Sequence, residues 1–399
     1  MLIRGKYLKR IRPYYDSDFI KVLTGIRRCG KSTILAQIMD ELSSNISKDR
    51  LLYIDLESYD YASLLDSPSD FYNLIKEYCK DKEKVYLFID EIQYLKDFER
   101  VIASIRSSLG CSVFVTGSTS SLLAGELASR LTGRVLEFRI MPFSYSEVSE
   151  YTGKKGDEAL IDYLYYGGMP VRFNENSKDS LMLLSMLYKS ILKRDIISAK
   201  SISNQHQFTN IASFVLANSG QMISGNSISG YLSAKDERIA SSTVYQYLRY
   251  LEESYLINCS KRFSIKGKQI LETLGKYYAA DPAFITMQNS NQKDMNKGLN
   301  LETVVYLELL SRGYTVYTGK TYKGEIDFVV MDNNHQAYIQ VAYLLSDDEI
   351  IKREFSAFSS IHDNYPKYVI SMDKLDFSRD GIIHLNIESF LLNEELFRF

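Results

Sequence analysis

The segment FIKVLTGIRRCGKSTILAQIMDEL, residues 19–42, most limits what this chain can fold into. An apolar run from Phe19 to Thr24 leads into Gly25-x-x-x-x-Gly30-Lys31-Ser32, and an apolar-periodic stretch follows. Strand, glycine loop and helix in that order predict a phosphate-binding loop of the Walker A type. Its glycines let backbone N–H groups close around phosphate oxygens at a helix N-terminus, which already favours anions. The expected phosphate lining is Gly25, Ile26, Arg27, Arg28, Cys29, Gly30, Lys31, Ser32 and Thr33. Lys31 is expected to reach the β- and γ-phosphates and Ser32 to hold Mg²⁺, so ATP and Mg²⁺ are the expected cofactors. Arg27 and Arg28 fit either solvent or phosphate. Cys29 is read either as a thiol whose pKa a helix N-terminus lowers or as a filler position in the loop.

A second run, KVYLFIDEIQ, reads as a buried parallel strand ending in Asp90-Glu91. Asp90 is expected in the Mg²⁺ shell, and Glu91 where a carboxylate orients and deprotonates the attacking water. Between the two motifs lie a strand-like LLYIDLE and a helix-like SPSDFYNLIKEYCK. A strand placed there in the chain marks the additional-strand class of P-loop proteins. CSVFVTGS then supplies a further strand ending in Thr116-Gly117-Ser118, where Ser118 is a candidate sensor of the γ-phosphate. Alternating strands and helices predict an α/β fold with a parallel sheet and right-handed crossovers. Arg130 and Arg134 each suit an arginine finger reaching a neighbouring subunit's nucleotide, or a cation at a helix C-terminus. Arg134 is taken as the candidate.

The ordered run KVLTGIRRCGKST…FIDEIQ…VTGS…ELASRLTGR…MPFSYSEV resembles a prokaryotic family of AAA-like P-loop ATPases fused to a C-terminal domain of unknown function. YLYYGGMPVRF (163–173) and YKSILKRDI (188–196) resemble its next blocks. The resemblance implies an ATPase core, a winged-helix-like α+β middle and a C-terminal domain of PD-(D/E)xK, restriction-endonuclease-like fold. The expected domains are 1–150 (AAA-like ATPase), 151–200 (helical connector), 201–285 (winged-helix-like) and 286–399 (nuclease-like, degenerate).

In the middle, Val244, Tyr247, Leu248, Leu251 and Tyr255 recur at helical spacing, so they face a core. A hairpin-like stretch with Lys261, Arg262, Lys266, Lys268 and Lys276 follows. A helix beside a basic hairpin suits double-stranded DNA through residues 241–276, or a structural or protein-binding role. At the C-terminus, Glu302, Asp327 and the strand AYIQVAY match the nuclease pattern, but Gln340 stands at its acidic position and Ala342 at its lysine position. Two carboxylates and a lysine are what hold a hard cation, phosphate and water together. Lys352 or Arg353 is the nearest replacement in sequence, and Glu325 with Asp327 leaves a residual metal site conceivable. Cleavage is not expected.

Net charge is −2, so any basic surface is local. No apolar run approaches the roughly 18 residues a membrane span needs. The four cysteines form no C-x-x-C, which suits a reducing cytoplasm and no zinc site. The expectation is a cytoplasmic ATPase acting as a DNA-associated, nucleotide-driven switch. A homo-oligomer or a partner protein remains open, and so do a nucleotide-gated protein-binding scaffold and an ATP-regulated nuclease.

Overall fold

The computed structural model describes residues 2–119, 133–173, 179–233, 239–289, 296–322, 324–332 and 335–397. The chain forms two compact units, Met1–Ile140 with Glu253–Tyr255, and Met141–Glu252 with Leu256–Phe399.

The first unit contains α1 (Gly5–Ile11), β1 (Ile20–Thr24), α2 (Lys31–Ser43), β2 (Leu51–Asp55), α3 (Pro68–Cys79), β3 (Tyr86–Asp90), α4 (Phe98–Leu109), β4 (Ser112–Gly117) and β5 (Val135–Arg139). The strands form one parallel sheet in the order β2-β3-β4-β1-β5. Every residue of β1, β3 and β4 is buried, as continuous apolar runs between crossover helices require. Phe71 and Ile75 of α3 and Val101, Ile102 and Ile105 of α4 pack against them. The one charge inside β1, Lys21, is fully buried; its ammonium donates to Ser112 Oγ at 2.8 Å and lies 4.4 Å from the Phe114 ring centre. The strand inserted in the chain, β2, sits at the sheet edge. In space it is β4 that separates β1 from β3, so the ends of three strands converge on the loop after β1.

The second unit begins with α5 (Tyr145–Thr152), α6 (Asp157–Tyr166) and α7 (Ser180–Ser190), which runs on as a π-helical stretch (Ile191–Ser198). Then come α8 (Gln205–Ala217), β6 (Met222–Ile223), α9 (Gly225–Ser233), α10 (Ser241–Glu253), β7 (Ile257–Ser264), β8 (Gln269–Ala279), α11 (Pro282–Gln288) and α12 (Asn296–Ser311). The unit ends with β9 (Thr315–Lys320), β10 (Glu325–Asp332), β11 (His335–Val341), α13 (Asp348–Ser356), β12 (Lys367–Ser371), β13 (Ile382–Asn386) and α14 (Ile387–Leu392). Its strands make one mixed sheet, β13-β12-β11-β10-β9-β7-β8-β6.

The basic hairpin β7–β8 is therefore not a free wing. Its β7 pairs in parallel with β9, so the hairpin continues the sheet that carries Asp327. Val244, Tyr247, Leu248 and Leu251 of α10 are buried, as their spacing predicts. One face of the sheet is covered by a core that includes Leu301, Val305, Phe328 and Ile370. A second core, with Ile326, Tyr338, Phe355 and Val369, contains Ala342.

The YYGGMP block has a packing reason. Asp281 caps α11, accepting from Ala283 N at 2.9 Å, and its other oxygen accepts from Gly168 N at 2.7 Å. Gly167 has φ +68, and a Cβ there would lie 1.6 Å from Asp281 Oδ1. No residue with a side chain fits.

Candidate functional site

The phosphate loop opens where β1 ends. Gly25 has φ +140, and a Cβ on it would fall 2.2 Å from the Ile140 carbonyl oxygen; Gly30 has φ +106. Only glycine gives the loop this shape. Lys31 is the first residue of α2 and is 4% exposed. Its ammonium donates to the carbonyls of Gly25 (2.9 Å) and Ile26 (3.3 Å) and meets no carboxylate among the described residues. Ser32 is exposed and Thr33 half-buried at the mouth of the same helix. Ile26 and Cys29 point into the core. Burial pushes the Cys29 thiol up, against the nearby Lys31 and Arg4 charges, which removes the reading of Cys29 as an activated thiol. Arg27 is paired with Glu57 at 3.0 Å, whereas Arg28, at φ 63, is exposed.

At the end of β3, Asp90 is 4% exposed. One carboxylate oxygen accepts from Tyr53 OH at 2.8 Å and the other from Thr116 Oγ1. Glu91 stands at φ 54, in the left-handed region, with its N–H bonded to Thr116 Oγ1 at 2.9 Å. Non-glycine residues adopt that conformation only where the surroundings impose it. The Glu91 carboxylate accepts from Gln93, whose amide nitrogen also lies 3.4 Å from Ser118 Oγ. Gln93 Oε1 is buried with no partner among the described residues. Thus β4 sends Thr116 to the aspartate and Ser118 towards Gln93.

Arg134 is elsewhere. It is exposed just before β5, and its carbonyl accepts from Ile20 N at the start of β1. A five-residue strand, about 17 Å long, separates that point from the phosphate loop. Arg134 is therefore not part of this chain's own phosphate site, and Arg130 lies outside the described residues.

Arg4 and Tyr53 are not signalled by the sequence, and Thr116 serves the aspartate rather than a phosphate. Arg4, 1% exposed, donates to the Cys29 carbonyl at 3.1 Å and so braces the loop from the N-terminal segment. Tyr53 and Thr116 hold Asp90. Arg4 is one of five cations among the first twelve residues, and Tyr53 is one of 31 tyrosines; only the fold selects them.

The residues fit Mg²⁺ with a nucleotide. The glycine cradle is shaped by close backbone approach, a buried ammonium faces carbonyls alone, and a buried carboxylate is held by hydroxyls rather than by a cation.

A second polar cluster lies in the other unit. Lys276 Nζ is 3.0 Å from Glu302 Oε1 and 3.4 Å from Asp327 Oδ1. Tyr278, two residues on and hence on the same face of β8, donates to Glu302 Oε1 at 2.7 Å. Burial and the Asp327 charge push Glu302 up to about 7. Attraction to Glu302 and Asp327 outweighs burial at Lys276 and keeps it protonated well above the usual lysine range. Gln340 Oε1 accepts from Asp327 N at 3.1 Å while Asp327 Oδ2 accepts from Val341 N at 2.9 Å. These two side chains splice β10 to β11 where the β9–β10 register shifts between Ile326 and Val329. The lysine that reaches Asp327 is Lys276 on β8. Lys352 instead lines a surface groove with Phe355 and Arg379, and Arg353 pairs with Glu354. Among the described residues no group of three or more His, Cys, Asp or Glu is placed to hold a metal. Two of the five cations expected to face DNA are also taken up: Lys276 here, and Arg262, 3.7 Å from Glu325. Lys261, Lys266 and Lys268 remain exposed.

A family profile described as an AAA domain matches residues 17–149, and one described as a domain of unknown function, DUF8612, matches residues 157–294. With the parallel sheet and the glycine loop, this makes residues 17–149 an AAA-type P-loop domain. An uncharacterized protein of Haemophilus influenzae is 33% identical over 402 residues, spanning 98% of this chain and 99% of its own length. The chain belongs to the family of that protein. An uncharacterized protein of Methanocaldococcus jannaschii is 27% identical over 387 residues, covering 92% of this chain and 84% of its own. Among solved structures, the Walker-type ATPase of Pyrococcus abyssi aligns with TM-score 0.48 at 16% identity, over 72% of this chain and 96% of that one. The Aeropyrum pernix ORC1 protein, solved in complex with DNA, aligns with TM-score 0.34 at 10% identity, over 73% and 93%. No helix among the described residues is long and apolar enough to cross a membrane.

Proposed function

We propose that the first unit binds ATP with Mg²⁺ and hydrolyses it, and that this cycle switches what the second unit binds. The observation that carries the reading is Lys31. A buried ammonium surrounded only by carbonyls, at the start of a helix, is short of the anion that polyphosphate supplies. In this reading Lys31 releases the Gly25 and Ile26 carbonyls to meet the β- and γ-phosphates. Ser32 and Asp90 hold Mg²⁺, which supplies charge neutralisation at those phosphates. Glu91, set just beyond Asp90 by its left-handed backbone, orients and deprotonates the attacking water, and Ser118 faces the γ-phosphate. An arginine finger from Arg134 requires a second copy of the chain. The expected domain limits, with the ATPase near 1–150, belong to the same proposal.

Turnover of purified protein tests it. Glu91→Gln is expected to lower kcat at least about 100-fold with ATP affinity retained. Lys31→Ala is expected to lose ATP binding. Nucleotide binding with no Glu91-dependent turnover would favour the gated scaffold instead.

Double-stranded DNA is the proposed partner of the exposed Lys261, Lys266 and Lys268. Duplex DNA is expected to raise turnover, less so at higher salt, and Lys266→Glu with Lys268→Glu to abolish the effect. The second unit is proposed to bind rather than cut, because Lys276 is bonded to both carboxylates a metal would need. Plasmid with Mn²⁺ is expected to stay intact; cutting that disappears in Asp327→Ala would overturn this.

A further inference from the structure

The sulfur atoms of Cys79 and Cys111 lie 3.3 Å apart in the first unit. Cys79 ends α3, and Cys111 directly precedes β4. Both are free thiols. Cys111 is 3% exposed, whereas Cys79 is half-buried and reachable from solvent. A disulfide needs about 2.05 Å between sulfurs, so the pair must close by only ~1.3 Å. We propose that Cys79 and Cys111 form a reversible dithiol–disulfide site, oxidised by hydrogen peroxide or an organic hydroperoxide.

The two sulfurs have different roles. In the thiol–thiol contact either sulfur can donate, so the pair favours one thiolate; the half-buried position of Cys79 and the nearby Lys82 charge favour it there. The same bond and burial push Cys111 up. Cys79 is therefore the attacking thiolate. Its sulfur takes one peroxide oxygen to become a sulfenic acid, and hydroxide leaves with the O–O electron pair. The Cys111 sulfur then attacks the sulfenic sulfur, the S–O bond breaks, and the oxygen leaves as water with the Cys111 proton. In sum, two thiols and one hydrogen peroxide give one disulfide and two waters. A thiol reductant reverses it through a mixed disulfide. The other two cysteines do not compete: Cys29 is fully buried, and burial pushes Cys259 up to about 12.

The bond closes a loop that contains β3, Asp90 and α4. Both cysteines sit at the ends of their elements remote from the phosphate loop, since Cys111 precedes β4 and the nucleotide residues follow it. The link is therefore expected to raise the unfolding temperature of the first unit and to leave ATP affinity within about twofold. Two thiols packed merely as small apolar side chains would give the same contact, and oxidation separates the cases.

The full-length, fully reduced chain is treated with near-stoichiometric hydrogen peroxide, alkylated and mapped by peptide mass. The expected result is loss of two alkylatable thiols and a linked pair of peptides containing Cys79 and Cys111, both reversed by dithiothreitol. Cys111→Ser is expected to leave Cys79 as a sulfenic acid trapped by dimedone, and Cys79→Ser to leave Cys111 reduced. Four alkylatable thiols after peroxide, a link to Cys29 or Cys259, or a Cys79 that reacts no faster than Cys29 would each overturn the proposal. The wild-type map stands even if a variant fails to fold, and none of these readouts depends on ATP hydrolysis.

Discussion

Two glycines that share a φ differ in ψ and in surroundings: ψ is 8 at Gly153 and −163 at Gly167, a region that only glycine enters freely. Gly153 and Gly167 both have φ near +70, but a Cβ on Gly153 meets nothing within 4 Å, and one on Gly167 meets the Asp281 carboxylate. Gly153→Ala is expected to cost about 1 kcal/mol from the left-handed backbone alone. Gly167→Ala is expected to cost about 3 kcal/mol or more, because the cap on α11 must also break; urea denaturation of the pair reads the difference. Asp281 adds a pH dependence. Burial raises it from 3.8 to about 6, against the two N–H bonds that favour its charge. The folded state thus holds its proton more tightly than the unfolded state. This contribution is full below about pH 4 and is lost as pH rises through 6. Asp281→Asn is expected to lower stability overall, since one N–H loses its acceptor, and to flatten the slope between pH 4 and 6.

The elements that decide the second unit are β7 and β8. Read along the chain they are a basic hairpin ready for DNA, yet β7 is stitched to β9 and Lys276 turns to Glu302 and Asp327. Removing that ammonium strands two carboxylates together. Lys276→Met is expected to cost about 3–5 kcal/mol at pH 8. The loss should shrink at pH 5.5. Glu302 already has a raised pKa, so its contribution is full at low pH and declines as pH rises through about 7. Without Lys276 the shift grows, and denaturation at the two pH values measures it. A similar contrast runs through α7, whose YKSILKRDI segment continues as a π-helical stretch that no periodicity announces.

Across the whole molecule, each unit carries its own core. Ligand linkage then belongs to one of them. ATP with Mg²⁺ at about 100 times its Kd is expected to stabilise the first unit by about 2.7 kcal/mol. In differential scanning calorimetry this appears as a transition that moves with ATP in the wild type and stays fixed in Lys31→Ala. A second transition, from the other unit, is expected to move less with ATP, by no more than the coupling that switches its binding.

The phosphate loop was legible because it is local. Spacing puts Gly25, Gly30 and Lys31 within seven residues of the end of β1, and the continuous apolar run of β3 announces a central parallel strand. Asp90-Glu91 was legible for the same reason, as the end of such a run. Partnerships across the sheet were not, since they depend on which strands become neighbours. Tyr53 and Thr116 reach Asp90 because β2 and β4 flank β3. Arg134 lies away from the loop because β5 runs parallel to β1 and begins at its far end. The lysine that reaches Asp327 is residue 276, 51 positions earlier. By itself the sequence determined a P-loop sheet and which carboxylates stand at the end of one strand, because short-range spacing fixes backbone shape. Which distant charges meet, and so which cations remain for a partner, only the tertiary structure decided, because burial makes a charge seek the nearest countercharge in space rather than in the chain.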